Sequence, residues 1–144
     1  MLSWSDRFET GDAVIDSQHK TLIDYLNRLE SIARNTNFDR EEAEFILNLV
    51  DFVEIYTIAH FKNEEACMAR HRCPAHQKNK DAHAHFLGFF HDFKRRFEIE
   101  GCRPEVLNAL HQACSDWILQ HILGIDLQLK PCLRRATTGD PPTS

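Results

Sequence analysis

The sequence predicts an all-α fold, an up-down-up-down four-helix bundle with an N-terminal arm, on three observations. Apolar residues recur with a three-four spacing over four separate stretches, which is the pattern of helices that bury one face. The breaks between these stretches are short, which favours antiparallel neighbours. Only one proline, Pro74, occurs between residues 17 and 99, so long helices are permitted there.

The first two helices have recognisable starts. Residues 1–15 lack a helical period and are expected to form the arm, whose apolar side chains dock on the bundle. Asp16 is predicted to cap the first helix. Asp39, with Glu42 three residues later as a capping-box partner, is predicted to begin a second helix that ends near Arg70. The predicted inward face of the second helix consists of Phe45, Leu49, Phe52, Val53, Tyr56, His60, Glu64 and Cys67.

Proline and glycine mark the predicted starts and ends of the last two helices. Pro74 fits the first turn of the third helix, and Gly101 is predicted to end it. Pro104 opens the fourth helix and Pro131 is expected to stop it. The third helix has an unusually regular inward stripe, which consists of Asn79, His83, Phe86, Phe90, Phe93 and Phe97.

Length and composition bound the organisation of the chain. Its 144 residues predict one folded domain, residues 1–133, followed by a polar, Pro- and Gly-containing segment, 134–144, expected to be a disordered tail or linker. The net charge of −5 argues against nucleic acid as a partner. No stretch reaches the roughly 18 apolar residues that a membrane span needs, so no membrane partner is expected.

The cysteines and the N-terminus predict a cytoplasmic location. The chain has 5 Cys, an odd number, with no Cys-x-x-Cys pair, and reduced thiols are favoured over a disulfide framework. The first ten residues are acidic and polar and do not resemble a signal peptide.

Four histidines lie on the apolar stripes of the four predicted helices, and two of them have a carboxylate nearby. They are His19, His60 with Glu64, His83, and His121 with Asp126. Residues four apart, such as His60 and Glu64, share one face of a helix. A separation of five residues, as between His121 and Asp126, places the two side chains about 140° apart around the helix axis. Both can face inward only if the helix ends or carries a π-type bulge near Gly124, which we take as a hypothesis.

A buried metal site explains this pattern better than four independent core histidines. One histidine on an apolar face is more often a hydrogen-bonded core residue than a ligand. Four on four helices, together with two carboxylates, reverse that expectation, because burying Glu64 and Asp126 unpaired would cost several kcal/mol each. These ligand types suit iron and manganese alike. His76, two turns before His83, is a minor further candidate, and the remaining histidines are expected at the surface.

Several segments together resemble the hemerythrin family in its bacterial form. They are Trp4 in the arm, Gln18-His19-Lys20, His60-Phe61 with Glu64-Glu65, Pro74 with His83 and Phe86, and Trp117-Ile118-Leu119-Gln120-His121 followed by Asp126. Any one of these segments would be a weak signal, but their combination and order are specific. The resemblance covers residues 4–130.

The resemblance implies two non-heme iron ions with an oxo or hydroxo bridge, and dioxygen as a ligand. By this similarity His19 and His60 would hold one iron, and His83 and His121 the other. Glu64 and Asp126 would bridge the pair, and the pocket residues would be Phe61, Trp117 and Ile118. The chain departs from the family at Asn79, where the third helix of the family carries a further histidine. An amide oxygen is a weaker donor than imidazole, so the amide, a water molecule or His76 would have to serve the second iron.

Two functions are weighed from this departure. The first is an oxygen, nitric oxide or redox sensor that regulates an output domain beyond residue 144, such as a diguanylate cyclase. The second is a free-standing bacteriohemerythrin for oxygen storage or transport, which needs an oxygenated form that persists. The lost imidazole and the linker-like tail favour sensing. The domain is not expected to be an enzyme, because no acid–base groups converge beyond the ligands. An oxidase or peroxidase remains a third alternative, and the domain could regulate a fused enzyme.

Overall fold

A computed structural model describes residues 2–35 and 37–138, with side chains described as far as residue 135. Within these residues four long helices form the bundle, and a shorter helix follows them. The helices are α1 (Ala13–Ala33), α2 (Arg40–Arg70), α3 (His76–Glu100), α4 (Pro104–Gly124) and α5 (Leu129–Thr138). α1 packs against α2 and α4, and α3 packs against the same two helices. The predicted all-α four-helix bundle is therefore confirmed.

The start of α1 differs from the prediction. Asp12, not Asp16, caps the helix by accepting hydrogen bonds from the backbone amides of the first turn. Asp16 lies inside the helix, and its carboxylate accepts hydrogen bonds from Thr10 N at 2.9 Å and Thr10 Oγ1 at 2.8 Å. Gly11, with φ of 99°, supplies the left-handed backbone conformation directly before the capping residue Asp12. The arm therefore ends at residue 12, contains a 3₁₀ turn at Asp6–Phe8, and is tied down by Asp16.

The start of α2 agrees with the prediction, whereas its inward face is narrower than predicted. Asp39 Oδ1 accepts a hydrogen bond from Glu42 N at 2.8 Å, as a capping residue does. Phe45 and Phe52 were expected to face the core, but 56% and 47% of their surfaces are exposed. They flank the buried stripe on its solvent side, and Phe52 packs on Tyr25 of α1 at a ring separation of 5.3 Å.

Two of the four predicted proline and glycine positions agree with the structure, and two differ from it. Pro104 is the first residue of α4, and Gly101, with φ of 87°, follows α3. Pro74 lies in the turn before α3 and not in its first turn. Pro131 does not end α4, which already stops at Gly124, and lies in the first turn of α5 instead.

The predicted tail is partly helical. Residues 134–138 form the end of α5, and 139–144 lie outside the described residues. Across the described part of the chain, none of the helices is both long enough and apolar enough to span a membrane.

Two apolar clusters form the interior. The larger one fills the space between the four long helices and includes the third-helix phenylalanines Phe86, Phe90 and Phe97. The smaller one lies where α1, α2 and α5 meet, and includes Ile15, Met68 and Leu129. The metal-ligand candidates lie between these two layers of apolar residues.

A disulfide joins the turn before α3 to α5. Cys73 and Cys132 are bonded, with their Cα atoms 5.6 Å apart, while Cys67, Cys102 and Cys114 are free. The expectation that all five thiols are reduced is therefore wrong. The pairing could not be read from the sequence, because the two cysteines are 59 residues apart and only the fold brings them together.

Candidate metal centre

All six predicted metal ligands and Asn79 converge in the middle of the bundle, where each is buried. The four long helices and the segment after α4 contribute His19, His60, Glu64, Asn79, His83, His121 and Asp126. Glu64 and Asn79 are 0% exposed, and Asp126 is 1% exposed. Carboxylates at this depth need compensating charge.

Glu64 lies at the centre of the cluster and its two oxygens face different partners. Oε2 lies 3.2 Å from His19 Nε2 and 3.4 Å from His60 Nε2. Oε1 lies 3.2 Å from His83 Nε2 and accepts a hydrogen bond from Asn79 Nδ2 at 2.8 Å. Glu64 therefore divides the cluster into a side with His19 and His60 and a side with His83 and Asn79.

Asp126 makes the same division from the opposite wall. Its Oδ2 lies 3.1 Å from His19 Nε2, and its Oδ1 lies 3.0 Å from His121 Nε2. It reaches inward because α4 ends at Gly124 and a 3₁₀ turn, Asp126–Gln128, follows. The break expected between His121 and Asp126 is therefore present.

The ligand atoms form two overlapping sets, each compact enough for one metal ion. One set is His19, His60 and Glu64, and the other is Glu64, His83, His121 and Asp126. Within each set one ligand atom per residue lies within 4.8 Å of every other. Two sets that share a carboxylate are the arrangement of a two-metal site in a helical bundle.

Several buried polar atoms of this cluster lack a hydrogen bond to any described residue. They include both ring nitrogens of His19, Oε2 of Glu64 and Oδ1 of Asp126. Nε2 of His83 and Nε2 of His121 also point at each other across 3.1 Å. Buried polar atoms are almost always paired, so lone pairs that converge without donors between them fit a bound cation.

The electrostatics of the cluster favour positive charge between the carboxylates. Burial raises the pKa of the Glu64 carboxyl, but the imidazoles of His19, His60 and His83 beside it outweigh burial and hold that pKa well below its ordinary value. Burial lowers the pKa of His19, whereas Asp126 and Glu64 raise it to a net value of about 9. Burial lowers the pKa of His60, so this ring favours the neutral form that binds a metal.

Two residues that the sequence analysis did not select hold the histidine rings from behind. His60 Nδ1 donates to Gln18 Oε1 at 2.8 Å, and this oxygen also accepts from Asn63 Nδ2 at 3.2 Å. His83 Nδ1 donates to Glu65 Oε2 at 2.8 Å. Both bonds direct the other ring nitrogen, Nε2, into the cluster. Gln18 and Glu65 adjoin ligand candidates within the segments that resemble the hemerythrin family, and this position was the signal that could have identified them.

Asn79 occupies the side of the cluster that holds His83 and His121. Its Nδ2 donates to Glu64 and also lies 3.4 Å from Met68 Sδ. Its Oδ1, which is then the acceptor, lies 2.8 Å from His121 Nε2. His76 is only half-buried and belongs to neither of the two ligand sets found in the described residues.

The three predicted pocket residues pack around the ligands. Phe61 stacks on His83 with ring centres 3.7 Å apart and planes within 6°. Trp117 stacks on His121 at 4.3 Å and 12°. Ile118 is buried and lines the same cavity as both aromatic rings.

A small cavity of about 30 Å³ adjoins His19, His60, His121 and Asp126. A volume of this size holds about one or two water-sized molecules. Its remaining lining is apolar except for two groups that the sequence analysis missed, the Thr57 hydroxyl and the Cys114 thiol. The cavity therefore suits a small molecule of low polarity beside the ligand cluster.

Comparison with known proteins agrees with this geometry. The Hemerythrin HHE cation binding domain matches residues 10–133. The chain belongs to the hemerythrin family. It is 29% identical over 134 residues to a bacteriohemerythrin of Methylococcus capsulatus, which covers 92% of this chain and 97% of the relative.

More distant members of the hemerythrin family agree as well. Myohemerythrin of Sipunculus nudus is 26% identical over 88% of this chain and 89% of its own length. A crystal structure of wild-type hemerythrin superposes with a TM-score of 0.76 at 25% identity, covering 92% of this chain and 98% of that one. Membership supports a non-heme di-iron domain that binds dioxygen, and the buried ligand cluster fits such a centre.

Proposed function

We propose that the chain binds two iron ions with an oxo or hydroxo bridge and takes dioxygen as its ligand. His19 and His60 hold one iron, His83 and His121 hold the other, and Glu64 and Asp126 bridge them. The observation that carries this assignment is the matched division of the two carboxylates. In each of them one oxygen faces His19, while the other faces a histidine of the opposite pair.

The chain's own residues orient these ligands and exclude water. Gln18 and Glu65 fix which nitrogen of His60 and His83 faces the centre. Phe61 and Trp117 cover the faces of two imidazoles, so the ligands stand in an apolar and dry surrounding. A bound iron pair would supply the electrons for reversible oxygen binding, and the adjoining cavity of about 30 Å³ is large enough for one small molecule.

Asn79 makes the second iron position a weaker site than the same position would be with a third histidine in place of Asn79. Its amide oxygen, pointed toward His121, stands where a further imidazole would donate. We propose that this oxygen, or a water molecule bound to it, completes the position. Fewer nitrogen donors change the reduction potential and the solvent access of that iron.

This difference favours a sensory role, in which oxygen, nitric oxide or redox state at the centre regulates a signalling domain attached after residue 144. Because Asp126 lies directly before α5, a change in its position can be passed to the C-terminal helix. The second candidate is an oxygen store or carrier. It is favoured by the match to the bacteriohemerythrin of M. capsulatus, because a single domain of this kind makes up 97% of that relative.

Metal analysis with visible spectroscopy tests the central proposal. The purified protein is expected to hold two irons per chain and to show ligand-to-metal bands that bleach on anaerobic reduction and return with oxygen. Glu64→Ala is expected to lose the two-iron site, while Glu105→Ala, at an exposed position of α4, serves as the matched control. Two irons retained in Glu64→Ala, or none in the unaltered protein, would refute it.

The lifetime of the oxygenated form separates the two roles. A store or carrier predicts an oxygenated spectrum that lasts for hours and reverses on degassing. A sensor predicts rapid autoxidation or a change in the bundle on ligand binding, detectable as altered protease cleavage near α5. An oxygenated form that persists without any structural change would contradict the sensory role.

A further inference from the structure

The two iron positions proposed above differ in what stands behind their histidines. His60 Nδ1 is held by the neutral amide of Gln18, and His83 Nδ1 by the carboxylate of Glu65, both at 2.8 Å. His19 Nδ1 has no hydrogen-bond partner among the described residues. The anionic partner is therefore on the side of the cluster where Asn79 stands.

We propose that Glu65 is a positioning residue that compensates the second iron for the imidazole missing at Asn79. This inference rests on the proposed di-iron function and assigns a cause to the difference between its two halves. Glu65 acts through His83 and does not itself face the cluster.

The physical reason is charge-assisted hydrogen bonding. A carboxylate that accepts the Nδ1–H of an imidazole fixes the ring orientation and makes Nε2 a stronger donor, more so than a neutral amide does. The iron held by His83 and His121 has two imidazoles and an amide in place of three imidazoles. A more strongly donating His83 restores part of the lost donation.

Burial preserves the effect of this carboxylate. The side chain of His83 is 2% exposed and that of Glu65 is 23% exposed, so solvent only partly screens the bond. The Phe61 ring, parallel to His83 at 3.7 Å, prevents the imidazole from tilting away from Glu65. In addition, Oε1 of Glu64 lies 3.2 Å from Nε2 of the same ring, so His83 is held between two carboxylates.

The test uses the iron-loaded protein and Glu65→Gln, which keeps the length and an acceptor oxygen but removes the charge. We expect a chelator to remove one of the two irons from Glu65→Gln at a concentration about 10–100-fold lower than the unaltered protein requires. This is the usual effect of removing a hydrogen-bond partner of a ligand histidine. One of the two reduction steps should move to higher potential, by about 59 mV for each tenfold change in the ferric-to-ferrous affinity ratio. The other step should stay in place.

Three variants complete the design. Gln18→Glu introduces a carboxylate behind His60 and is expected to lower the potential of the other step. Asn79→His supplies the missing imidazole. In that background, Glu65→Gln should lower the iron affinity by a smaller factor than it does in the unaltered chain. Glu105→Gln, at the exposed start of α4, is the matched control and should change nothing.

The outcomes separate this inference from the proposed function. If Glu65→Gln and Gln18→Glu both bind two irons with unchanged affinities and potentials, Glu65 has no compensating role and the di-iron proposal stands. If the unaltered chain does not bind two irons, the proposed function itself fails. Should Glu65→Gln fold poorly by circular dichroism, an unmoved potential in Gln18→Glu overturns the inference on its own.

Discussion

The Cys73–Cys132 disulfide should be a major source of stability for the metal-free protein. It closes a loop over a sequence separation of 59 residues. The chain-entropy model assigns about 4 kcal/mol to a loop of this length, because the bond restricts the unfolded chain. For a domain of this size, about 2–4 °C per kcal/mol then predicts a fall in Tm of about 8–16 °C on reduction.

Thermal unfolding of the metal-free protein, followed by circular dichroism with and without a phosphine reductant, measures this effect. Metal must be removed first, since iron that binds the native state but not the unfolded chain would raise the apparent stability. The double variant Cys73→Ser/Cys132→Ser should reproduce the reduced protein and should not respond to the reductant. Cys102→Ser, which alters a free and half-buried thiol, is the matched control.

The number of reactive thiols shows whether the Cys73–Cys132 bond is present. With the bond formed, denaturation without reductant exposes three alkylatable thiols, Cys67, Cys102 and Cys114. Five alkylatable thiols in the oxidised protein, or an identical Tm with and without reductant, would show that the bond is absent or does not constrain the chain.

Three further predictions concern the centre, the core and the thiols. Asn79→His should slow autoxidation and shift the visible spectrum, and an unmoved rate and spectrum would show that this residue is not at the metal. Phe90→Ala should lower the free energy of unfolding by about 3–5 kcal/mol in urea titration, since this ring is 2% exposed, and a loss below 1 kcal/mol would contradict its core position. Burial raises the pKa of Cys114 to about 12, so at pH 8 its side chain stays a thiol. Cys114 should therefore react with iodoacetamide only after unfolding, later than the more accessible Cys102. Equal reaction rates of the two cysteines in the native protein would contradict this.

The helices and their inward stripes were predictable because they depend on local periodicity. A three-four spacing of apolar residues marks a buried face whatever the helix packs against. The third-helix stripe shows this well, since Asn79, His83, Phe86, Phe90 and Phe97 are buried as predicted and Phe93, its remaining member, is half-buried. The break near Gly124 was predictable for another reason, because five residues cannot keep two side chains on one helical face.

Local patterns were ambiguous where two residues could play the same part. Asp12 and Asp16 both suit a helix start, and only the docking of the arm shows that Asp16 binds Thr10 while Asp12 caps α1. Phe45 and Phe52 lie beside the buried stripe, and the width of a buried face depends on how closely the neighbouring helices approach.

The sequence by itself determined an all-α bundle whose inward faces carry four histidines and two carboxylates, because helical period and residue type are local properties. Only the tertiary structure decided which oxygen of Glu64 and Asp126 faces which histidine pair. It also placed Glu65 behind His83 and joined Cys73 to Cys132. These are contacts between distant segments, and their geometry depends on the packing of whole helices, which no local pattern contains.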